Sequence, residues 1–168
     1  MLRRSRLGAL FAVLAIGFVS AAPAPADDKK ALTGHKQDQE ILTPADLKWQ
    51  DGPATLQKGS QIVVLEGDPS KEGPFVLRIK LPDGFRVMPH THPKDERVTI
   101  ITGTLYLGMG AKFDEKAGKA MPAGSYGRTE AGMKHFGWVK GETILQLHGT
   151  GPWSIDYINP EDDPRNKK

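Results

Sequence analysis

Apolar residues in this chain come in short bursts rather than at helical spacing. From Leu47 onward the runs 61–65, 75–81, 98–101, 104–107, 143–147 and 153–158 are β-branched or strictly alternating. Turn signals separate them, as in Glu66-Gly67-Asp68-Pro69, Pro82-Asp83-Gly84, Thr102-Gly103, Pro122-Ala123-Gly124 and Lys140-Gly141. Many short strands broken by Gly and Pro predict an all-β sandwich or barrel. Several of the runs are apolar on both faces, which suits a closed or double-sheet arrangement better than one sheet with a wet side. Helix is expected only as single turns. Thr43 caps one that starts at Pro44, and 113–118 supplies the other.

The first 42 residues read differently. Arg3, Arg4 and Arg6 precede the apolar stretch 7–19, which gives way to small residues and prolines ending at Ala26. As a helix that stretch covers only about 20 Å of a roughly 30 Å hydrocarbon core, so no stable membrane span is expected. A basic start, a short apolar middle and the Ala24-Pro25-Ala26 pattern make residues 1–26 a signal peptide for export to the periplasm or medium. The Arg3-Arg4 pair also raises twin-arginine export, but Ser5-Arg6-Leu7 lacks the apolar positions expected after it. Residues 27–42 are polar and aperiodic, a flexible lead-in in which His35 is a solvated side chain. The folded domain is expected at 43–160, followed by a polar, Pro-broken tail at 161–168.

Charge and composition narrow the function. The chain of 168 residues carries 23 basic and 20 acidic side chains, but three of the arginines and no acidic group lie within residues 1–26. The mature chain is therefore balanced, which removes the charge argument for nucleic-acid binding. The absence of cysteine excludes disulfides, thiolate metal sites and thiol nucleophiles. No phosphate-binding glycine loop, dinucleotide fingerprint, serine-hydrolase elbow or H-E-x-x-H occurs.

One segment carries chemistry. His90 and His92 stand two apart on a predicted strand and so share a face. Glu96 opens the next strand after Pro93-Lys94-Asp95, close enough for its carboxylate to return toward the imidazoles. Two nitrogen donors and one hard oxygen donor suit one divalent transition metal: Fe, Mn, Ni, Cu, Co or Zn.

The spacing from Gly84 through His90, His92 and Glu96 to Gly103 resembles, at every fixed position, the first motif of the cupin superfamily. The second motif is matched in part by Gly124, Gly132 and His135, with Glu130 where the family prefers proline and Val139 where it prefers asparagine. The resemblance runs from about Leu47 to Ile158. It implies a double-stranded β-helix, or jelly roll, with His135 completing a metal site of three histidines and one glutamate. It also implies pairing of copies through their sheets, hence a homodimer.

Such a shell on an octahedral ion leaves two positions open, and a single carboxylate leaves a divalent site net positive, which favours an anionic small molecule. The sequence supports two readings: a metal-dependent enzyme of oxidoreductase, lyase or isomerase type, or a non-catalytic small-molecule or metal-binding module. Glu96 is one candidate base. Gln146 and His148 share a strand face with Ile144, and alternation alone leaves open whether they point into the cavity or to solvent. If inward, His148 is the candidate proton shuttle. Arg86 has the same parity as the two histidines and could face the cavity to bind a substrate carboxylate, but Pro89 interrupts the register between them, so a solvated Arg86 is expected. Tyr106, Tyr126, Phe136 and Trp138 are expected to fill the barrel or a subunit contact.

Overall fold

The computed structural model describes residues 39–167. The expected signal peptide, and the expected lead-in up to residue 38 with His35, lie outside the described residues. Nine strands follow: β1 (Gln50–Asp51), β2 (Gln61–Glu66), β3 (Gly73–Leu81), β4 (Arg86–Thr91), β5 (Glu96–Met109), β6 (Lys119–Pro122), β7 (Tyr126–Thr129), β8 (His135–Gly151) and β9 (Asp156–Tyr157). The chain is all-β, an antiparallel sheet curled on itself. Among the described residues helix occurs only as 3₁₀ turns, including Pro44–Asp46 and Glu115–Ala117 where the sequence places them. Asp114 caps the second, accepting from the Lys116 N–H at 2.9 Å.

Two long strands organise the rest. β8 pairs with β3 through its C-terminal part (Leu81↔Thr143 to Gly73↔Gly151) and with β4 through its N-terminal part (Arg86↔Trp138, His90↔His135). It pairs with β5 along nearly its whole length, from Met109↔His135 to Arg97↔His148. β5 and β8 therefore belong to both halves of the curled sheet. β3, β2 and β1 extend one half, while β4 and β9 extend the other. The interior is filled by alternate residues such as Leu77, Ile79 and Leu81 of β3, Ile100 of β5, and Leu145 and Leu147 of β8. Their neighbours Arg78 and Lys80 take the outer face, as a period of two requires.

The turn signals Thr102-Gly103 and Lys140-Gly141 prove to be bends inside continuous strands, not breaks between strands. The β5–β8 register shifts on either side of Thr102. Gly103 has φ 74°, and a Cβ there would strike Thr143 Oγ1 and the Glu142 carbonyl. Thr143 is fully buried at this corner and accepts from the Thr104 N–H at 3.1 Å. The chain turns without losing its ladder because glycine alone tolerates both the conformation and the close approach.

Two other elements depart from the hydrophobic pattern. Of the run 153–158, only Asp156–Tyr157 pairs, against Thr91 and His90 of β4. Trp153 and Ile155 instead pack onto the core. Beyond Ile158 the polar tail forms two further 3₁₀ turns, with Asp163 buried and bound to the Arg165 guanidinium.

Gly103→Ala should lower stability by about 2 kcal/mol, combining a left-handed backbone with a steric clash. Gly124→Ala, whose Cβ would meet nothing within 4 Å, should lose only the backbone component, about 1 kcal/mol. Urea denaturation of both variants checks the difference.

Candidate metal centre

β4, β5 and β8 bring four polar side chains into an apolar interior. His90 lies on β4 directly opposite His135 at the start of β8, and His92 follows β4 by one residue past its end. Glu96 is the first residue of β5. His90, His92 and His135 are each at most 5% exposed, and the Glu96 side chain is 12% exposed. The imidazole centroids lie 4.2–5.1 Å apart.

A bulge in β4 sets which side chains enter. Between Val87↔Gly137 and His90↔His135 the strand advances three residues while β8 advances two. The extra residue falls at Met88-Pro89, where proline offers no N–H to the ladder. Parity therefore flips. Val87 and His90 both line the cavity. Arg86, which simple alternation would place beside the histidines, is exposed and pairs with Glu115.

The hydrogen bonds fix how the rings are presented. His90 Nδ1 lies 2.7 Å from the Met88 carbonyl, His92 Nδ1 2.6 Å from that of Ser154, and His135 Nδ1 3.0 Å from that of Met133. A carbonyl only accepts, so each Nδ1 carries the proton and each Nε2 presents a lone pair inward. Glu96 faces two of these lone pairs, with Oε1 3.4 Å from His92 Nε2 and Oε2 3.4 Å from His135 Nε2. His92 Nε2 is buried with no hydrogen-bond partner. Four buried acceptor groups converge with no donor among them, an arrangement that is costly unless a cation sits between.

The residues fit a metal ion. The three imidazole donors lie within 4.8 Å of one another, close enough to converge on one ion. Backbone carbonyls behind each Nδ1 are the usual device for aiming a ligating imidazole.

Electrostatics in the metal-free protein follow from burial. Burial, then the charges of His135 and His92, pushes the His90 imidazole down to about 3, and burial also pushes His92 down. For Glu96 burial opposes the charge, but the contact with His135 and the facing imidazoles outweigh it and hold the carboxyl below its usual range. For His135 burial is likewise outweighed, here by Glu96, and its pKa rises.

The two motif segments are locked to each other. The Gly132 N–H donates to the His92 carbonyl at 2.9 Å, from a turn whose Gly132 has φ 76°. Asp95 accepts from the Ala131 N–H at 3.1 Å and from Arg128 Nη2 at 2.8 Å. Glu130, at the family's proline position, pairs with Arg128. Val139, at its asparagine position, is buried and keeps its main-chain bond to the Phe85 carbonyl at 3.0 Å. Neither departure displaces His135.

Gln146 and His148 are not at this site. Leu145 and Leu147 line the cavity, so the intervening residues face outward. Gln146 Oε1 accepts from Arg78 Nε on the outer surface, and His148 sits between Val76 and Arg97 of the neighbouring strands. Of the two orientations the alternation left open for this pair, the structure takes the outward one. The aromatic residues also lie away from this cavity: Phe136, fully buried, packs on Phe113, and Tyr106 stacks on Trp138. Trp153, which the strand pattern hides, lines the cavity and stacks on His92 at 4.8 Å. Its sequence signal is the preceding Gly151-Pro152, which turns the chain inward after β8.

Residues 37–154 match the model of the family described as the ChrR cupin-like domain. No curated protein sequence matches the chain. Among solved structures, the polyketide cyclase RemF from Streptomyces resistomycificus superposes with a TM-score of 0.62 at 14% identity, covering 76% of this chain and 91% of that one. An acetylacetone dioxygenase from Acinetobacter johnsonii gives 0.58 at 17% identity, over 77% and 84%. A protein with a cupin-like fold from Ralstonia eutropha gives 0.57 at 20% identity, over 74% and 75%. At these identities the likeness is one of fold.

His92→Ala should reduce bound metal to below about a tenth of the wild-type content by elemental analysis; unchanged content would remove His92 from the site. The metal-free protein should lose stability as pH falls from about 6.5 toward 3, because His90 and His92 are held neutral when folded but protonate when unfolded. The raised His135 works the other way, its contribution being full at low pH and lost as pH rises through its folded pKa. Thermal unfolding with and without chelator, across that range, reads both. The loaded form should fall more steeply, because protons compete with the ion for three nitrogens.

Proposed function

The chain belongs to the ChrR cupin-like domain family, and on that footing we propose that it is a metal-dependent cupin enzyme acting on a small anionic organic molecule. One observation carries the reading: His90, His92, His135 and Glu96 aim only acceptor atoms at a common point. The solved neighbours that include a polyketide cyclase and an acetylacetone dioxygenase support catalysis over storage. A bound divalent ion would supply Lewis acidity toward oxygen donors and, if Fe, Mn or Cu, a redox centre.

The chain's own residues define what else happens there. Three neutral imidazoles and one carboxylate leave a divalent site with net positive charge, which favours an anion. Aliphatic walls from β3, β5 and β8 exclude water and strengthen each charge interaction inside. With His148 and Gln146 outside, Glu96 is the carboxylate within reach of a bound molecule, and it would take up or return a proton at Oε1 or Oε2 if it loosens from the ion.

The same scarcity of acid–base groups favours a second reading, a non-catalytic binder of a small molecule or metal. Export rests on the basic-apolar-small order of residues 1–26, and self-association as a homodimer on the cupin resemblance.

Oxygen uptake by full-length protein reconstituted in turn with Fe(II), Mn(II), Cu(II) and Ni(II), over a panel of hydroxy-acids, keto-acids and diketones, tests the enzyme reading. We expect uptake with at least one compound and its loss in His92→Ala. Silence throughout, with product analysis also showing no elimination or isomerisation, would leave the binding module.

A further inference from the structure

Among the described residues, two buried side-chain polar atoms have no hydrogen-bond partner: His92 Nε2 and Trp153 Nε1. They belong to rings stacked on each other, with centroids 4.8 Å apart and planes 22° apart, and both rings line one cavity. The two atoms are chemically opposite. With Nδ1 donating to Ser154, His92 Nε2 is an acceptor. Indole nitrogen is a donor only. An unmade hydrogen bond at a buried group costs on the order of 1–3 kcal/mol, so one orphan of each sign on a shared wall calls for a ligand with both a positive and a negative part. A metal ion satisfies the acceptor. An oxygen atom of whatever coordinates that ion satisfies the donor.

The rest of the cavity says what such a molecule looks like. Its volume is about 70 Å³, and apart from the metal-site residues its lining is aliphatic except for Met121, Thr129 and Trp153. No lysine or arginine lines it. A second carboxylate or a phosphate, held away from the ion, would lose its hydration with no cation to replace it.

We propose that Trp153 is a ligand-binding residue, and that its indole N–H donates to an oxygen of a compact oxygen-donor chelator whose charge is confined to the atoms at the metal and whose remainder is apolar. The proposal rests on the metal-centre reading above and deepens it by naming the ligand class. Phe75, which meets Trp153 at 6.4 Å, and the main-chain bond from the Trp153 N–H to the Pro69 carbonyl at 2.8 Å hold the indole in place without using Nε1. The donor is thus positioned in advance, which lowers the ordering cost of binding.

Acetohydroxamate and oxalate are suitable probes. Both close a five-membered oxygen chelate on a metal, but the first is a monoanion with a methyl end and the second a dianion with oxygens facing outward. The full chain is loaded with Zn(II), its zinc content measured, and each probe titrated calorimetrically, with affinities corrected for binding to aqueous zinc. Acetohydroxamate should be preferred. Trp153→Phe, which keeps an aromatic ring against His92, should retain zinc and weaken acetohydroxamate about tenfold, the worth of a hydrogen bond to a charged acceptor. Trp138→Phe, on the outer face, should change nothing. In ¹⁵N spectra of the wild type, the indole signal missing from Trp153→Phe should move downfield on adding acetohydroxamate.

Equal affinity in wild type and Trp153→Phe, an unmoved indole signal, or oxalate binding as well as acetohydroxamate would overturn the role of Trp153 or the ligand class while leaving the metal centre standing. If the variant loses zinc, the wild-type indole signal decides alone. Wild-type protein that holds no zinc or other divalent ion would overturn the metal centre and this proposal together.

Discussion

Every Nδ1 of the three site histidines is engaged by a main-chain carbonyl, and from this the rest of the site follows. Met88, Ser154 and Met133 supply those carbonyls from three separate segments. Once their protons are turned outward, the imidazoles have nothing but lone pairs to offer inward, and Glu96 adds more negative charge. Without an ion, contact with Glu96 outweighs burial at His135 and raises its pKa, while burial lowers that of His90 and His92. If the site binds a metal ion as proposed, its donors are costly to bury when empty and are compensated when an ion fills the site. On that reading, metal supply and stability would be coupled through the site, because an ion that binds only the native state stabilises it.

Holding such a cluster together requires strands that reach both halves of the curled sheet. β8 presents His135 to the site and, ten and twelve residues further along the same strand, Leu145 and Leu147 to the cavity wall. It can do so because its partner β5 bends with it at Gly103 instead of ending. The bulge at Met88-Pro89 then admits His90 and Val87 while expelling Arg86. A guanidinium inside would have neutralised Glu96 and competed with an ion for it. Its exclusion leaves Glu96 facing only the imidazoles.

Much of this was legible in the residues. The all-β class came from strand length and turn spacing, and the donors came from a motif whose intervals reflect strand parity and one tight turn. What alternation could not supply was orientation. Gln146 and His148 read equally well inward or outward because β8 carries apolar residues on both faces, with Phe136 and Trp138 away from the cavity and Leu145 and Leu147 lining it. Parity alone would place Arg86 inside, but Pro89 marked a break in the register, and the bulge there leaves the side chain solvated as expected. Thr102-Gly103 and Lys140-Gly141 looked like breaks because a positive-φ glycine serves a bend and a turn alike. β6 and β7 are too short and too polar to rise above the pattern of loops. Trp153 was hidden for a different reason: its run alternates like a strand, yet only Asp156 and Tyr157 pair.

The same ligands occur on a fold that hosts many reactions, so the four metal-site residues alone do not select one. Selection has to come from what surrounds them, and here the surroundings are unusually spare. An aliphatic wall contributes shape and exclusion of water but no direction. Direction requires polar groups at fixed places, and a buried donor left unpaired costs stability in every molecule that lacks its ligand. Trp153 Nε1 is such a donor, set beside a lone pair that is equally unpaired. Two complementary defects on stacked rings are difficult to explain as packing, since a phenylalanine at 153 would fill similar space without the penalty. They are readily explained if a molecule bearing oxygen on a cation completes the wall.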